Sequence, residues 1–308
     1  MRVLSIILCF CIFISSYSQS KTKKINFSSK QSKGITKKDK SVLILWNQVV
    51  FKHNNSVMYC DSATYDRGNN SFIAYSNIKI VENDSMKLYG DSLHYFGNEE
   101  KAYLYGNVKL ITNQILMNAN SLIYDQNNNY AYYDDGGIIK HHGKNYTINS
   151  KVGRFNSINK VLFFKKNVSL EHIDYQIFSD TLVYHTETEK TNIIGDTKIK
   201  SRNSTISCSK GWFDNNNQTS SLKGNIVIDS KNYQFYADSI FYQEQKGEAF
   251  AKGEVKIIDD SSQTVIIGQY GYHNENKDSA KIWDHAIMTQ YDSIDTIHVY
   301  ADQFIHVH

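Results

Sequence analysis

LYGDSLHYFGNEEKAYLYGNVKL, residues Leu88–Leu110, carries two marks. The first is a corner, Gly90-Asp91-Ser92, with Tyr95 close behind. The second is a strand start, Gly106-Asn107-Val108, followed by Leu110. Sixteen residues separate Asp91 from Asn107. The same two marks return along most of the chain, so the repeat is the first thing to explain.

The corner falls at Asp61, Asp91, Asn120, Lys151, Asp180, Ser209, Asp238, Gly268 and Asp302. Spacings run from 29 to 31 residues until the last, which is 34 and points to an insertion within 284–296. Four residues after the corner comes an aromatic: Tyr65, Tyr95, Tyr124, Phe155, Tyr184, Phe213, Tyr242 and Tyr272. Three residues before it stands an apolar side chain, such as Met58, Leu88, Ile177 or Val265. One residue before it stands a small or modest one, such as Cys60, Gly90, Ala237 or Ile267. The second mark recurs at Asn77-Ile78, Asn107-Val108, Asn167-Val168, Asn225-Ile226 and Glu254-Val255. Side chains alternate across a strand. Keeping Leu88 and Gly90 on the same inner face as Leu93 and Tyr95 therefore requires a phase shift between them. A bulge or bend at Asp-Ser supplies it, with the Asp and Ser side chains bonding local backbone. Polar turns at 67–71, 97–101, 125–129, 214–219 and 243–248 separate the strands. No segment keeps a helical period over ten residues.

Composition agrees. The chain of 308 residues has 22 Tyr, no Pro and 41% hydrophobic residues, enough for a core. Tyr, Val, Ile and Thr favour strands, and Asn and Gly favour turns. The fold class expected is all-β: an open twisted β-jelly roll, or stacked antiparallel β-solenoid, of about nine repeats of roughly 30 residues.

Residues 1–18 read as a secretory signal peptide: Arg2, an apolar run over Val3–Ile14, and Ser16 and Ser18 before a cut at Gln19. Cys9 and Cys11 lie inside that run without small residues before them, which argues against lipidation. Residues 19–40 hold eight Lys and one Asp and read as a flexible basic leader. The leader is either a solvated tail, which is favoured, or a contact for anionic lipid phosphates. Taking nine positive charges and one negative from a net +3 leaves the body, 41–308, at −5. An acidic body with no basic face bearing interleaved aromatics argues against nucleic acid. Cys60 and Cys208 share a repeat phase but stand far apart in the stack, so they read as small buried residues rather than a disulfide.

The grammar of Gly90-Asp91-Ser92-Leu93-His94-Tyr95 with Gly106-Asn107-Val108 resembles the LptA/OstA (organic-solvent-tolerance-like) family. Ala237-Asp238-Ser239-Ile240-Phe241-Tyr242 with Gly253-Glu254-Val255, and Gly224-Asn225-Ile226, carry the same resemblance. It covers about 43–306. The chain is longer than the short bridge proteins of that family and lacks the C-terminal barrel of the outer-membrane subunit. Lys151 and Ser209 depart from the corner Asp. The family belongs to the machinery that carries lipopolysaccharide across the Gram-negative periplasm. The resemblance implies an apolar groove for acyl chains between two sheets, periplasmic location with a possible outer-membrane association, and no cofactor. It further implies partners among lipopolysaccharide-transport components, joined by edge-strand addition at Val42–Phe51 or Ile297–His306, and head-to-tail homo-oligomers. The groove lining expected is Leu88, Leu93, Tyr95, Leu104, Val108, Leu110, Leu122, Tyr124, Val168, Leu182, Tyr184, Ile226, Ile240 and Tyr242. Nine layers about 4.8 Å apart give a groove on the order of 40 Å long.

The corner residues Asp61, Asp91, Asp180, Asp238 and Asp302 are expected to be structural. A Ca²⁺ ladder lacks the glycine-rich repeat of calcium β-rolls. His141-His142 and His306 with His308 have no partners at metal-ligand spacing. No nucleophile elbow, phosphate loop or HExxH motif occurs, so no enzymatic activity is expected. The rival expectations are a structural β-solenoid, adhesin or scaffold, with an interior filled by its own side chains, and more weakly a polysaccharide-binding β-helix.

Overall fold

The computed structural model describes residues 24–307 apart from 38–39, 83–84, 144, 157, 232, 278 and 292–294. The signal peptide read at 1–18 lies outside the described residues. Those described form antiparallel strands, two 3-10 turns (Glu244–Lys246 and Glu275–Lys277) and no α-helix.

The opening stretch is a hairpin of Met86–Phe96 and Lys101–Ile111, pairing Leu88 with Leu110 and Leu93 with Leu104. The register breaks in the middle of each strand. Gly106 and Asn107 together oppose one residue, Asn120, of the next strand. Their φ values are +73° and +46°, a two-against-one bulge in the left-handed region that Gly and Asn reach most easily. Left-handed pairs recur at Asn47/Gln48, Ser76/Asn77, Lys166/Asn167, Gly224/Asn225, Gly253/Glu254 and Asp284/His285. Aligned along the stack, these bulges fold one continuous sheet into two facing halves. The predicted phase shift is therefore real, but the extra residue sits on the strand that carries the second mark.

The two marks touch. Asn107 Nδ2 donates to Asp91 Oδ2 at 2.8 Å, and Asn77 Nδ2 to Asp61 Oδ2 at 2.7 Å. A Cβ on Gly106 would lie 2.5 Å from Asp91 Oδ2. The corner Asp thus reaches across to the neighbouring bulge rather than to its own local backbone, which corrects the sequence reading. A second correction concerns the eighth corner. Gly268 pairs with Val255, and Gln269 is the residue skipped at the break. The corner is Gln269, so Ile266 and Gly268 point inward, and Val265, Ile267 and Tyr272 point outward.

Phe51, from one sheet half, stacks on Phe72, from the other, with centroids 3.7 Å apart and planes 4° apart. A single apolar cluster runs from Ile25 to Ile226, and a smaller one holds Ala237, Ala251, Val255 and Ile282. Cys60 and Cys208 are buried and free. Burial pushes the Cys60 thiol up to about 12 and that of Cys208 to about 11, so neither is a ready nucleophile.

Residues 19–40 were read as a flexible leader, and this fails over 26–37. Asn26–Ser28 and Gln31–Lys37 are strands paired with Lys40–His53. The strand read as a free edge, Val42–Phe51, is therefore covered, and the new edge is a Lys- and Ser-bearing one that discourages further pairing. Thr296–Val307 remains at the opposite end of the sheet. The length estimate also changes. Each long strand is its own rung of one sheet, so a repeat adds two rungs and about twice the length expected for it.

Along one rim the turns continue the ladder: Gly97 N donates to Asn70 O, Gln126 N to Glu100 O, and Glu244 N to Gln218 O. Asp carboxylates cap these turns, as where Asp125 accepts from Asn128 N and Nδ2. Burial alone would raise the Asp125 carboxyl, yet the Asn128 bonds and the Lys101 ammonium at 3.3 Å hold it below its usual value. A depressed folded pKa stabilises above the unfolded value of 3.8 and is lost as pH falls through the folded one. Asp125→Asn should therefore lower Tm at neutral pH, by about 1 kcal/mol of stability, and flatten the acid limb of Tm against pH below 4. A parallel, unflattened acid limb would show that Asp125 contributes nothing to it.

Candidate functional site: the interior and its mouth

The two facing halves enclose the inward side chains, and the rims of turns form a mouth opposite the bulges. Of the lining residues expected, Leu88, Leu93, Tyr95, Leu104, Val108, Leu110, Leu122, Val168, Leu182, Tyr184 and Ile226 are buried. Tyr124, Ile240 and Tyr242 are half-buried. All face the interior. The corner residues Asp61, Asp91, Asp180, Asp238 and Asp302 are exposed at the bend. Among the described residues no group of three or more His, Cys, Asp or Glu side chains could hold a metal.

The interior is not uniform. Three residues before the corner, Met58, Leu88, Met117, Ile148 and Ile177 are buried, whereas Ile206 and Phe235 are half-buried. On the strands paired with them, Ile80, Leu110, Ile139, Leu170 and Ile199 are 2%, 5%, 4%, 8% and 8% exposed. Ile228 and Ile257 are then only partly covered. The same residue types at the same repeat positions are sealed early and open late.

Hydrogen bonds across the mouth close its early part, from His53 to Gln126. His53 Nδ1 and Tyr95 Oη lie 2.7 Å apart and buried, and Tyr95 donates to Gln126 Oε1 at 3.2 Å. Gln126 Nε2 reaches Ser56 Oγ, and Tyr124 donates to Glu82 Oε2. The His53–Tyr95, Ser56–Gln126 and Glu82–Tyr124 bonds join one rim to the other, and the Tyr95–Gln126 bond ties two of these latches together along one rim. Burial and then the Glu82 bond push the Tyr124 hydroxyl well above its ordinary pKa, and burial does the same for Tyr95. Both stay protonated donors. From Ser201 to Tyr291 the bonds among the described residues stay on one side: Tyr242 donates to Glu275 and Tyr272 to Glu248 along the same rim. Sequence reasoning missed His53, Ser56, Glu82 and Gln126. Their only signal is polarity at inward-facing rim positions.

Tyr124→Phe should cost roughly 1–2 kcal/mol by stranding Glu82. Amide exchange should accelerate around Leu110 and Met117 while the strands beyond Ser201 keep wild-type rates. Unchanged exchange around Leu110 would show that the latch does not hold the mouth.

Residues 21–180 match the sequence model of the family described as OstA-like protein, more than half of the 308 residues. The chain belongs to the OstA-like family. A search of curated proteins finds no match for this OstA-like chain. A solved structure similar to part of it is LptH, described as the LptA-homologous periplasmic component of the conserved lipopolysaccharide transport device from Pseudomonas aeruginosa. That likeness has 9% identity and a TM-score of 0.22, and covers 50% of this chain and 93% of the other. The family match takes in the latched residues, His53 to Gln126, and stops before the half-covered part of the OstA-like chain.

Proposed function

We propose that this OstA-like chain is a non-enzymatic periplasmic carrier or bridge that takes acyl chains of lipopolysaccharide into the interior of its C-terminal half. The observation that carries the reading is the change of exposure beyond Ser201, where inward Ile206, Phe213, Ile228, Phe235, Ile240 and Ile257 are apolar yet only partly covered. Family membership supports it. Each buried lipid methylene contributes about 0.8 kcal/mol, so a few acyl chains bind without a specific polar contact or a cofactor. The latched stretch from His53 to Gln126 closes the mouth at one end and keeps the chains to the other.

The strand Thr296–Val307 supplies an edge for another transport component or a second copy, since Ile297, Tyr300 and Ile305 are 60%, 73% and 59% exposed. A photo-crosslinking amino acid at Phe235 or Ile240 should capture lipopolysaccharide in Gram-negative cells, and one at Lys109 or Lys223, on the outer face, should not. Capture confined to the outer positions would sink the reading.

A second reading has its own support. Leu45, Phe51, Leu88, Leu104 and Phe164 are fully buried, as a self-filled structural solenoid requires. Native mass spectrometry separates the two: the carrier retains lipid when purified gently, and the scaffold does not.

A further inference from the structure

The outer face of the sheet half running from the bulges to the latching rim, that of His53, Ser56 and Glu82, carries an ordered column of side chains. Tyr59 pairs with Lys79, Lys79 with Tyr89, and Tyr89 with Lys109 on successive strands. Farther along, Phe178 pairs with Lys198 and Tyr236 with Lys256. Ammonium groups lie over the rings: Lys79 is 5.8 Å from the Tyr59 centroid, Lys200 5.3 Å from Phe178, and Lys256 5.7 Å from Tyr236. Tyr59 and Phe178 are 41% and 38% exposed. This corrects the expectation that the acidic body lacks a basic face with interleaved aromatics: Lys and aromatic residues alternate at 59–109, 178–198 and 236–256, with Asn118, Ile138, Asn149 and Ser169, then Ser207 and Val227, between the groups.

Beside the column runs the bend with its carboxylates and amides. A hollow of about 710 Å³ lies between them, with Phe178 and Lys198 on one wall and Asp180, Asp196, Ser209 and Asn225 on the other. A second, of about 530 Å³, lies between Tyr300 and Ile287 and the bend residues His285 and Asp302. The trough is outside the fold, opposite the mouth of the apolar interior.

We propose that this trough binds a linear, uncharged polysaccharide. The exposed rings offer flat apolar faces for the C–H faces of sugar rings. Facing them, Asp and Asn oxygens accept from sugar hydroxyls while Asn amides and Lys donate to them. Opposed rows of carboxylates and ammonium groups suit a neutral, hydroxyl-rich ligand. A polyanion such as nucleic acid meets repulsion along the Asp wall. A planar bilayer follows neither the re-entrant hollow nor the twist that a sheet accumulates from strand to strand, whereas a flexible chain follows both. Aromatic residues on alternate strands, such as Tyr59 and Tyr89, stand about 10 Å apart, so one extended chain reaches several in turn. The inference is independent of the lipid reading, because it uses none of the interior residues.

Affinity electrophoresis of the full chain tests it, in native gels containing dextran, amylose, mannan or xylan, with heparin and single-stranded DNA gels as polyanion arms. At least one neutral glycan should retard the protein. Phe178→Ala combined with Tyr236→Ala should weaken that retardation at least fivefold in apparent Kd, and Tyr300→Ala should weaken it less. The interior substitution Ile240→Ala should leave it unchanged. Unaltered circular dichroism and melting of the outward variants keep the comparison valid. Absence of retardation in every neutral gel, retardation by heparin or DNA alone, or a fully retarded Phe178→Ala/Tyr236→Ala variant would each overturn the proposal.

Discussion

Phe72→Ala should destabilise the N-terminal half by about 3–5 kcal/mol, the range for emptying a packed aromatic site. Phe72 is 1% exposed and sits between Phe51, stacked at 3.7 Å, and Tyr95, with centroids 5.4 Å apart. Neither neighbour can collapse into the space. Phe51 is held in the opposite sheet half, and Tyr95 is tied to His53 and Gln126. The same residue change in the open half, Phe235→Ala, should cost less than about 1.5 kcal/mol, because a half-exposed ring loses only part of its burial. Stacked repeats need not unfold together, so hydrogen exchange resolved by strand is the suitable measurement. The Phe72 variant should lose protection across Lys40–Phe96, with the strands after Ser201 unaffected. Equal losses for Phe72→Ala and Phe235→Ala would mean that the two halves are packed alike, and the carrier reading would lose its basis.

Gly153→Ala should cost about 3 kcal/mol, at the upper end for overpacking. A Cβ there would overlap the Tyr133 ring, which also lies 2.5 Å (Cζ) from a Cβ built on Gly137. Tyr133 is 2% exposed, and its hydroxyl lies 2.8 Å from Ser150 Oγ. It fills the place where the strands break, Tyr130–Tyr133 from Gly137–His141 and Tyr146–Ser150 from Val152–Asn156. Gly153→Ala combined with Tyr133→Ala should therefore be less destabilised than the sum of the two single variants, by 1 kcal/mol or more. Denaturant melts of the four proteins give the coupling. Strict additivity would show that the ring and the glycine do not compete for the space.

Most of the architecture was legible in the residues. Asp91 and Asn107, sixteen residues apart, already marked one bend on two neighbouring strands, because repeat spacing and strand parity together force a phase shift. The inward positions Leu93, Leu104 and Val108 followed from alternation alone. The eighth corner was misplaced by one residue because Tyr272 imitates the aromatic position, and only the pairing of Gly268 with Val255 corrects it. Residues 26–37 looked like a solvated leader because their composition is polar. An edge strand gains ladder hydrogen bonds that composition does not register.

The sequence by itself determined the all-β stack, its period and, except at the eighth corner, its bends and which side chains face inward, since each depends on local geometry and near neighbours. The tertiary structure alone decided where the interior is closed. His53, Ser56 and Glu82 meet Tyr95, Gln126 and Tyr124 only when the two rims face each other, at separations of 42 and 70 residues. Such long-range polar pairs leave no periodic trace in the chain. The sheet must fold along its bulges before one half is latched and the other left open.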